Sequence, residues 1–194
     1  PNKKIKVLAP FFQVDDYPLI PSSYWKHDFI LVSTEGINNS IAKKVYDLLI
    51  KMNIRFQFLG NDQGLGLFKN SLSNEEKSCR FLGYKCAGDA APLLASCLGV
   101  VDLSENKFPF LALEGLSSGR PCIVRDNLDN RFYLKGKGVN FLSPYWEREL
   151  INCVKLLFET KLDVDSKKLR SMVVGFHPMK FKGEIHRSVN DYIN

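Results

Sequence analysis

The segment from Leu98 to Asp126 constrains the fold of this chain most, because it reads as one complete strand–loop–helix–strand unit. Its start, Leu98–Leu103, is a short apolar run of the kind that forms a strand buried in a parallel sheet. A polar loop follows, and Pro109 then stands where the first turn of a helix tolerates a proline. Leucines recur at helical spacing up to Gly119, a favourable helix terminus, and Arg120–Arg125 is predicted as the next strand.

The loop of this unit connects the carboxyl end of a strand to the N-terminus of a helix. Free backbone N–H groups and the helix dipole favour anions there, and open α/β sheets bind phosphate groups at that edge. Glu114 falls one to two turns into the helix, and helical geometry alone does not decide whether it faces the loop or solvent. Ligand binding and a plain structural connection are both open for this loop.

Strand-like and helix-like segments alternate along the rest of the chain. The other predicted strands are Phe29–Val32, Ile54–Leu59, Cys79–Leu82 and Val139–Leu142. The predicted helices are Ile41–Met52 (with Asn39 or Ser40 as the N-cap), Ala90–Cys97 (capped by Asp89), Tyr145–Thr160, 166–174 (capped by Asp165 or Ser166) and Pro178–Ile193. Residues 63–77 are predicted to form a loop that contains one short helix at most. This alternation predicts a parallel sheet covered by helices on both faces.

Composition narrows the class of protein. The chain has 194 residues, enough for one substantial core. Its five cysteines are odd in number and include no CxxC pair, which favours unpaired thiols in a reducing, cytoplasmic compartment and argues against a zinc site. No apolar run approaches the roughly 20 residues that span a bilayer, and no secretory signal is recognisable. A net charge of +6 fits a mildly basic solvated surface or a peripheral role at an anionic membrane surface. Nucleic acid is not expected as a partner, because no nucleic-acid-binding motif is present.

The central unit also resembles the donor-binding signature of retaining glycosyltransferases of the GT-B fold. That signature is a strand ending in Ser, an acidic loop, a Phe, an apolar helix start, a Glu, small residues, and then Gly and Pro. The matching residues here are Ser104, Glu105, Phe108, Pro109, Leu113–Gly115, Ser117–Gly119 and Pro121. The resemblance implies an α/β, Rossmann-like three-layer α/β/α domain with a parallel sheet, the C-terminal half of a GT-B fold, which binds a nucleoside diphosphate sugar.

The family carries two glutamates in this signature: the first lies near the transferred sugar, and the second hydrogen-bonds the ribose hydroxyls. Glu114 matches the second glutamate. The first is out of register, because Asn106 occupies its position and Glu105 precedes it by one residue. The resemblance implies that Glu105 and Asn106 are the catalytic, sugar-side residues, and helix capping is the alternative role for both.

The resemblance extends along nearly the whole chain. Residues 1–28 look like the linker that precedes the donor domain, residues 29–175 correspond to that domain, and residues 176–194 correspond to a helix that crosses back to the other domain. Phe81–Tyr84 resembles the turn that meets the nucleobase, which assigns Gly83 and Tyr84 to the donor site. The family's acceptor-binding N-terminal half is missing, so we expect a fragment whose complement is that domain or a partner chain.

One departure from the family concerns the charge that the donor meets. The family usually places Arg and Lys after the first strand, where they neutralise the departing diphosphate. Here the corresponding loop, Ser33–Ser40, has one carboxylate and no basic residue. Lys43 and Lys44 lie in the following helix, most simply on an exposed face, and Lys107 in the signature loop is the best substitute cation. The other donor-site candidates are Ser33, Thr34, Gly36, Phe108, Pro109 and Phe110.

The resemblance predicts an enzyme that transfers a hexose, with retention of configuration, from a nucleoside diphosphate sugar to a glycan, lipid or protein acceptor. The nucleotide sugar is a substrate, and no metal or other cofactor is expected. Two alternatives stay open. The missing basic pair favours a noncatalytic GT-B-like partner or scaffold module, and an enzyme similar to nucleotide-sugar epimerases is the other.

Overall fold

The computed structural model describes residues 12–17, 19, 28–105, 108–160 and 165–193. Five strands form one all-parallel sheet in the order β2–β1–β3–β4–β5. Their bounds are β1 (Phe29–Ser33), β2 (Arg55–Leu59), β3 (Gly99–Asp102), β4 (Cys122–Arg125) and β5 (Val139–Leu142). The chain leaves β1 for β2 on one side and returns to the other side for β3, so the strand order reverses there. Open α/β sheets bind ligands at such a reversal, outside the carboxyl ends of the strands.

Helices connect the strands and continue after the last one. Their bounds are α1 (Asn39–Lys51), α2 (Gly66–Asn70), α3 (Asn74–Arg80), α4 (Ala87–Ser96), α5 (Phe110–Ser117), α6 (Leu128–Tyr133), α7 (Trp146–Thr160), α8 (Ser166–Ser171) and α9 (Pro178–Ile193). Short 3₁₀ turns occupy Val14–Asp16, Gln63–Leu65 and Val174–Phe176. No helix in the described ranges combines the length and apolarity that crossing a bilayer requires.

Side-chain alternation along the strands divides the apolar core into two layers. Ile30 and Val32 point to one face of the sheet and Leu31 to the other, and all three are buried. The first face packs against α1, α2 and α7, and the second packs against α4, α5 and α8. This is the three-layer α/β/α arrangement that the order of elements predicts.

Helix α5 approaches β3 closely and ends at a defined motif. A Cβ atom on Gly115 would lie 2.7 Å from Cγ2 of Val100, so glycine permits this close packing. At the C-terminus the N–H of Arg120 donates to the carbonyl of Gly115 over 2.8 Å, and the N–H of Gly119 donates to Leu116 over 3.0 Å. These two bonds form a Schellman motif, and the positive φ of Gly119 (70°) permits it. The predicted helix stop is confirmed.

The predicted strand Cys79–Leu82 is wrong. Helix α3 includes its first two residues, because Ser73 and Glu76 form a reciprocal capping box that starts a helix at Asn74. Phe81 makes only an isolated parallel bridge to Phe58, on whose ring it stacks at a centroid distance of 4.8 Å. The segment 63–77, predicted to hold one short helix at most, contains α2 and the start of α3.

Several helix starts also differ from the prediction. Helix α1 is capped by Asn38, whose Oδ1 accepts the N–H of Ile41 over 3.0 Å, so neither Asn39 nor Ser40 is the cap. Helix α4 begins three residues earlier than predicted, with Cys86 as N-cap and Asp89 inside the first turn. Helix α6, which was not predicted, is capped by Asn127. Helices α7 and α9 and strand β5 lie where the sequence predicts them, and α8 begins at Ser166 as predicted but ends at Ser171, three residues early.

Candidate functional site

A cleft of about 730 Å³ opens at the carboxyl ends of β1, β2 and β3, beside the reversal of strand order. Its floor contains Ser33, Leu59 and Asp102, at or next to the last residues of these strands. Loops and helix N-termini form the walls, with the residues Phe12, Tyr17, Glu35, Gly60, Tyr84, Lys85, Ala87, Ala90, Ser104, Phe108, Phe110, Leu111 and Glu114. The position is the one where open α/β sheets bind nucleotides. A smaller groove of about 430 Å³ lies between α1 and α7 and has a mostly apolar lining.

Glu114 faces this cleft, which answers the question that helical geometry left open. Its Oε1 accepts a hydrogen bond of 2.6 Å from the Tyr17 hydroxyl. Burial raises the pKa of Glu114 above its ordinary value, the Tyr17 hydrogen bond lowers it, and the charge of Asp102 raises it. Burial therefore disfavours the charged form of the carboxyl group, and the hydrogen bond from Tyr17 favours it.

Asp102 ends β3 in the floor of the cleft and is a buried side chain that no sequence signal assigned to the site. Its Oδ1 accepts the backbone N–H of Ser104 over 3.2 Å, and burial is the main cause that raises its pKa. A backbone N–H of Ala112 in α5 acts in the opposite direction. Asp102 thus ties the end of β3, the following loop and the start of α5 together.

Glu35 occupies the loop after β1, where the resembling family has its basic residues. Its Oε1 accepts the backbone N–H of Asn61 over 2.8 Å, which joins this loop to the one after β2. The cleft lining therefore includes the carboxyl groups of Glu35, Asp102 and Glu114. Lys85 is the one basic residue among the described residues that line the cleft. No carboxyl group in the described part of the chain forms an ion pair with it.

Five of the predicted donor-site residues line the cleft: Ser33, Tyr84, Phe108, Phe110 and Glu114. The Phe108 and Phe110 rings lie 4.6 Å apart, and Phe110 is 54% exposed. Tyr84 is 78% exposed. Apolar rings at the rim of a cleft provide flat surfaces on which a planar base or the apolar face of a sugar packs.

Four other predicted residues lie beside the cleft and support its loops. The Thr34 hydroxyl donates to the Leu59 carbonyl over 3.3 Å, and the Gly36 carbonyl accepts the N–H of Glu105 over 3.4 Å. The Gly83 carbonyl accepts the N–H of Gly60 over 3.1 Å, and Pro109 is the N-cap of α5.

Glu105, predicted to act at the sugar, is not among the residues that line the cleft. Its side chain is 63% exposed, and its Oε1 lies 2.7 Å from Nη1 of Arg125 at the end of β4. The pairing follows from the sheet order, which places β4 beside β3. Asn106 and Lys107, the other predicted sugar-side and phosphate-side residues, lie outside the described residues.

The lysines after β1 do not reach the cleft. Lys43 pairs with Asp47 over 2.9 Å on the exposed face of α1, and Lys44 pairs with Glu147 of α7 over 2.7 Å. Lys85 was not predicted. Its only sequence signal is its position directly after the turn that was assigned to the nucleobase.

Residues 12–17, here named the strap, bring Tyr17 to the cleft. The Phe12 N–H donates to the Phe176 carbonyl over 2.9 Å, and Arg170 Nη1 donates to the Tyr17 carbonyl. Asp15 lies 2.9 Å from His177 Nε2 and 3.2 Å from Arg170 Nη2. The hydrogen bond to His177 is the largest cause that lowers the pKa of Asp15. Both ends of the strap are therefore fastened to the C-terminal part of the chain.

No group of three or more His, Cys, Asp or Glu side chains in the described ranges is arranged to hold a metal ion.

Three glycosyltransferases of known structure share this fold. A glycosyltransferase from Rickettsia africae superposes with a TM-score of 0.79 at 13% identity, covering 100% of this chain and 59% of that one. HepE from Anabaena, in complex with UDP-glucose, has a TM-score of 0.76 at 15% identity, covering 96% and 57%. The apo form of the lipopolysaccharide outer core galactosyltransferase WaaB has a TM-score of 0.72 at 14% identity, covering 96% and 56%.

At the level of sequence, no protein-family model matches the chain, and no curated protein matches it significantly. The chain spans little more than half the length of the three structures above. Their likeness to it extends over nearly all of its residues and includes the parallel sheet with helices on both faces. This chain has the Rossmann-like α/β fold found in GT-B glycosyltransferases.

Proposed function

We propose that this chain is the nucleotide-sugar-binding domain of a glycosyltransferase, which transfers a hexose with retention to a glycan, lipid or protein acceptor. The observation that carries the proposal is the carboxyl group of Glu114, which lines a cleft at the reversal of strand order. Structures of the same fold with bound UDP or UDP-glucose support a nucleotide at this edge.

Each part of a nucleoside diphosphate sugar has a matching group in the proposed site. Glu114 accepts hydrogen bonds from the ribose hydroxyls, and the exposed ring of Tyr84, next to the Gly83 turn, packs against the base. The diphosphate lies toward the N-terminus of α5, whose first N–H groups and dipole favour anions. The sugar then extends toward the loop that begins at Glu105.

The proposal also covers where the acceptor binds. The chain spans about half the length of the glycosyltransferases that share its fold. We therefore assign acceptor binding to a second domain or partner chain. In this assignment the 194-residue chain binds the donor, and transfer requires the complement.

A panel of nucleotides tests the donor site directly. Thermal unfolding of the 194-residue chain is measured with UDP, ADP, GDP, CMP and uridine, with UDP first because HepE and the pneumococcal transferase GtfA were solved with it. At a ligand concentration of about 100 Kd, binding to the folded state adds about 2.7 kcal/mol and raises Tm by about 5–10 °C. We expect such a shift for one nucleoside diphosphate. Unchanged Tm with every nucleotide would refute the donor site.

The charge of the cleft favours a second candidate, a noncatalytic partner or scaffold module of the same fold. Glu35 stands in the loop where cations would neutralise a diphosphate, and two further carboxyl groups lie in the cleft. Like charges repel a nucleotide unless a cation or helix dipoles compensate. The nucleotide panel separates the two candidates, because the scaffold predicts no response.

Lys85 is the described cation best placed to compensate this charge, and its removal is expected to weaken phosphate binding. Lys85→Ala should lower the affinity for UDP about two- to fivefold more than the affinity for uridine, as for a partly exposed ion pair. Isothermal titration of both ligands measures the difference. Lys43→Ala is the matched control, because Lys43 pairs with Asp47 outside the cleft. An equal loss for UDP and uridine would contradict a phosphate role.

A further inference from the structure

The hydrogen bond between Tyr17 and Glu114 joins two residues that are 97 positions apart in the sequence. The Tyr17 side chain is buried, at 4% exposure, and its ring stacks on Phe12 at a centroid distance of 5.5 Å. Burial and the neighbouring Glu114 raise the pKa of Tyr17 far above its ordinary value. The phenol therefore stays protonated and acts toward Glu114 as a fixed donor.

The position of this donor is set from outside the cleft. Arg170 donates from Nη1 to the carbonyl of Tyr17 and, over 2.9 Å, to the carbonyl of Ser117 at the end of α5. Asp15 is held by Arg170 and His177. The strap and α5, which carry the two partners of the hydrogen bond, are thus fastened to each other independently of that bond.

The surroundings of Glu114 otherwise oppose its charge. Burial and the charge of Asp102 raise its pKa, and Tyr17 provides the hydrogen bond that lowers it. The other titratable or charged groups that line the same cleft are Glu35, Tyr84 and Lys85. Without the Tyr17 hydroxyl, the balance shifts toward a neutral, protonated Glu114.

We propose that Tyr17 is a positioning residue of the nucleotide site, whose hydroxyl holds Oε1 of a charged Glu114 and leaves Oε2 for the ribose. This inference rests on the proposed function, because it assumes that Glu114 receives ribose hydroxyls. A protonated or rotated carboxyl group would accept those hydroxyls less well, since hydrogen bonds to a charged acceptor are the stronger ones. Tyr17 thereby affects how well the cleft recognises a ribose without touching it.

Tyr17→Phe tests the role, because it removes the hydroxyl and keeps the ring that stacks on Phe12. Affinities for UDP and for 2′,3′-dideoxy-UDP are measured by isothermal titration between about pH 5 and pH 8. The wild-type chain should prefer UDP by about tenfold or more. In Tyr17→Phe this preference should fall severalfold. Because the pKa of Glu114 rises, the loss of UDP affinity on acidification should begin at a higher pH than in the wild type.

Tyr46→Phe is the matched control, since Tyr46 donates an equivalent hydrogen bond to Glu76 away from the cleft. It should alter neither the preference nor its pH dependence. Asp15→Asn, which loosens the strap from outside, is a second variant, and we expect a smaller change in the same direction as Tyr17→Phe.

The outcomes separate this inference from the proposed function. A wild type that prefers UDP, together with Tyr17→Phe and Asp15→Asn variants of unchanged preference and pH dependence, overturns the role of Tyr17 alone. A wild-type chain that binds no nucleoside diphosphate overturns both. Equal effects of Tyr46→Phe and Tyr17→Phe show a general loss of stability and likewise overturn the positioning role.

Discussion

Glu114→Gln is expected to lower the affinity of the chain for UDP by about ten- to a hundredfold, with little change in Tm in the absence of nucleotide. A hydrogen bond to a charged group contributes about 1.5–3 kcal/mol, which corresponds to this range. Glutamine has the same shape and still accepts the Tyr17 hydroxyl, so the fold should persist. Isothermal titration measures the affinity, and thermal unfolding measures the stability.

Glu105→Gln provides the control for this result. Glu105 is exposed and pairs with Arg125 rather than lining the cleft, so its substitution should leave UDP affinity nearly unchanged. A contact between Glu105 and the sugar would lower the affinity for UDP-glucose and not for UDP. Equal UDP affinity of Glu114→Gln and the wild type would rule out the ribose contact.

Gly115→Ala is expected to destabilise the fold by about 1–3 kcal/mol and to weaken UDP binding at the same time. The added Cβ would lie 2.7 Å from Cγ2 and 3.0 Å from Cγ1 of Val100, so the Val100 side chain or α5 must shift. We expect α5 to move away from β3, because Val100 is itself tightly packed. Glu114 is the neighbouring residue and moves with the helix. Urea unfolding measures the stability, and isothermal titration measures the binding.

Two further variants sharpen this prediction. In Gly115→Ala/Val100→Ala the contacting methyl groups are gone, so the double variant should lose less stability than the sum of the single variants. Gly66→Ala is the matched control: Gly66 is helical, a Cβ there meets no atom within 4 Å, and alanine should be neutral or stabilise by up to about 1 kcal/mol. Additive losses in the double variant would show that the contact with Val100 is not the cause.

The central unit could be predicted from sequence because its signals are local. The apolar run of β3, the leucine spacing of α5 and the terminal Gly119 all act within a few residues of one another. The prediction of a strand at Cys79–Leu82 was wrong, and the reason is also local. The capping box of Ser73 and Glu76 was present in the sequence and is a stronger signal than the apolar Phe81 and Leu82.

The site was harder to predict because its contacts join distant segments. Glu114 was found through its motif, but nothing near Tyr17 in the sequence indicates that the strap folds back onto α5. The pairing of Glu105 with Arg125 depends on which strands are neighbours in the sheet. Lys85 lies in the cleft because α4 begins beside it, earlier than the sequence predicts.

The fastening of the strap has a consequence for how the protein is made. Tyr17 is held by Arg170, 153 residues later in the chain, and Asp15 by His177, 162 residues later. A ribosome releases the strap early and its anchors late, and such distant contacts form slowly. The sheet can assemble while synthesis continues, but Tyr17 gains its anchor only when residue 170 has emerged. Nucleotide present during translation would therefore bind finished chains in preference to nascent ones.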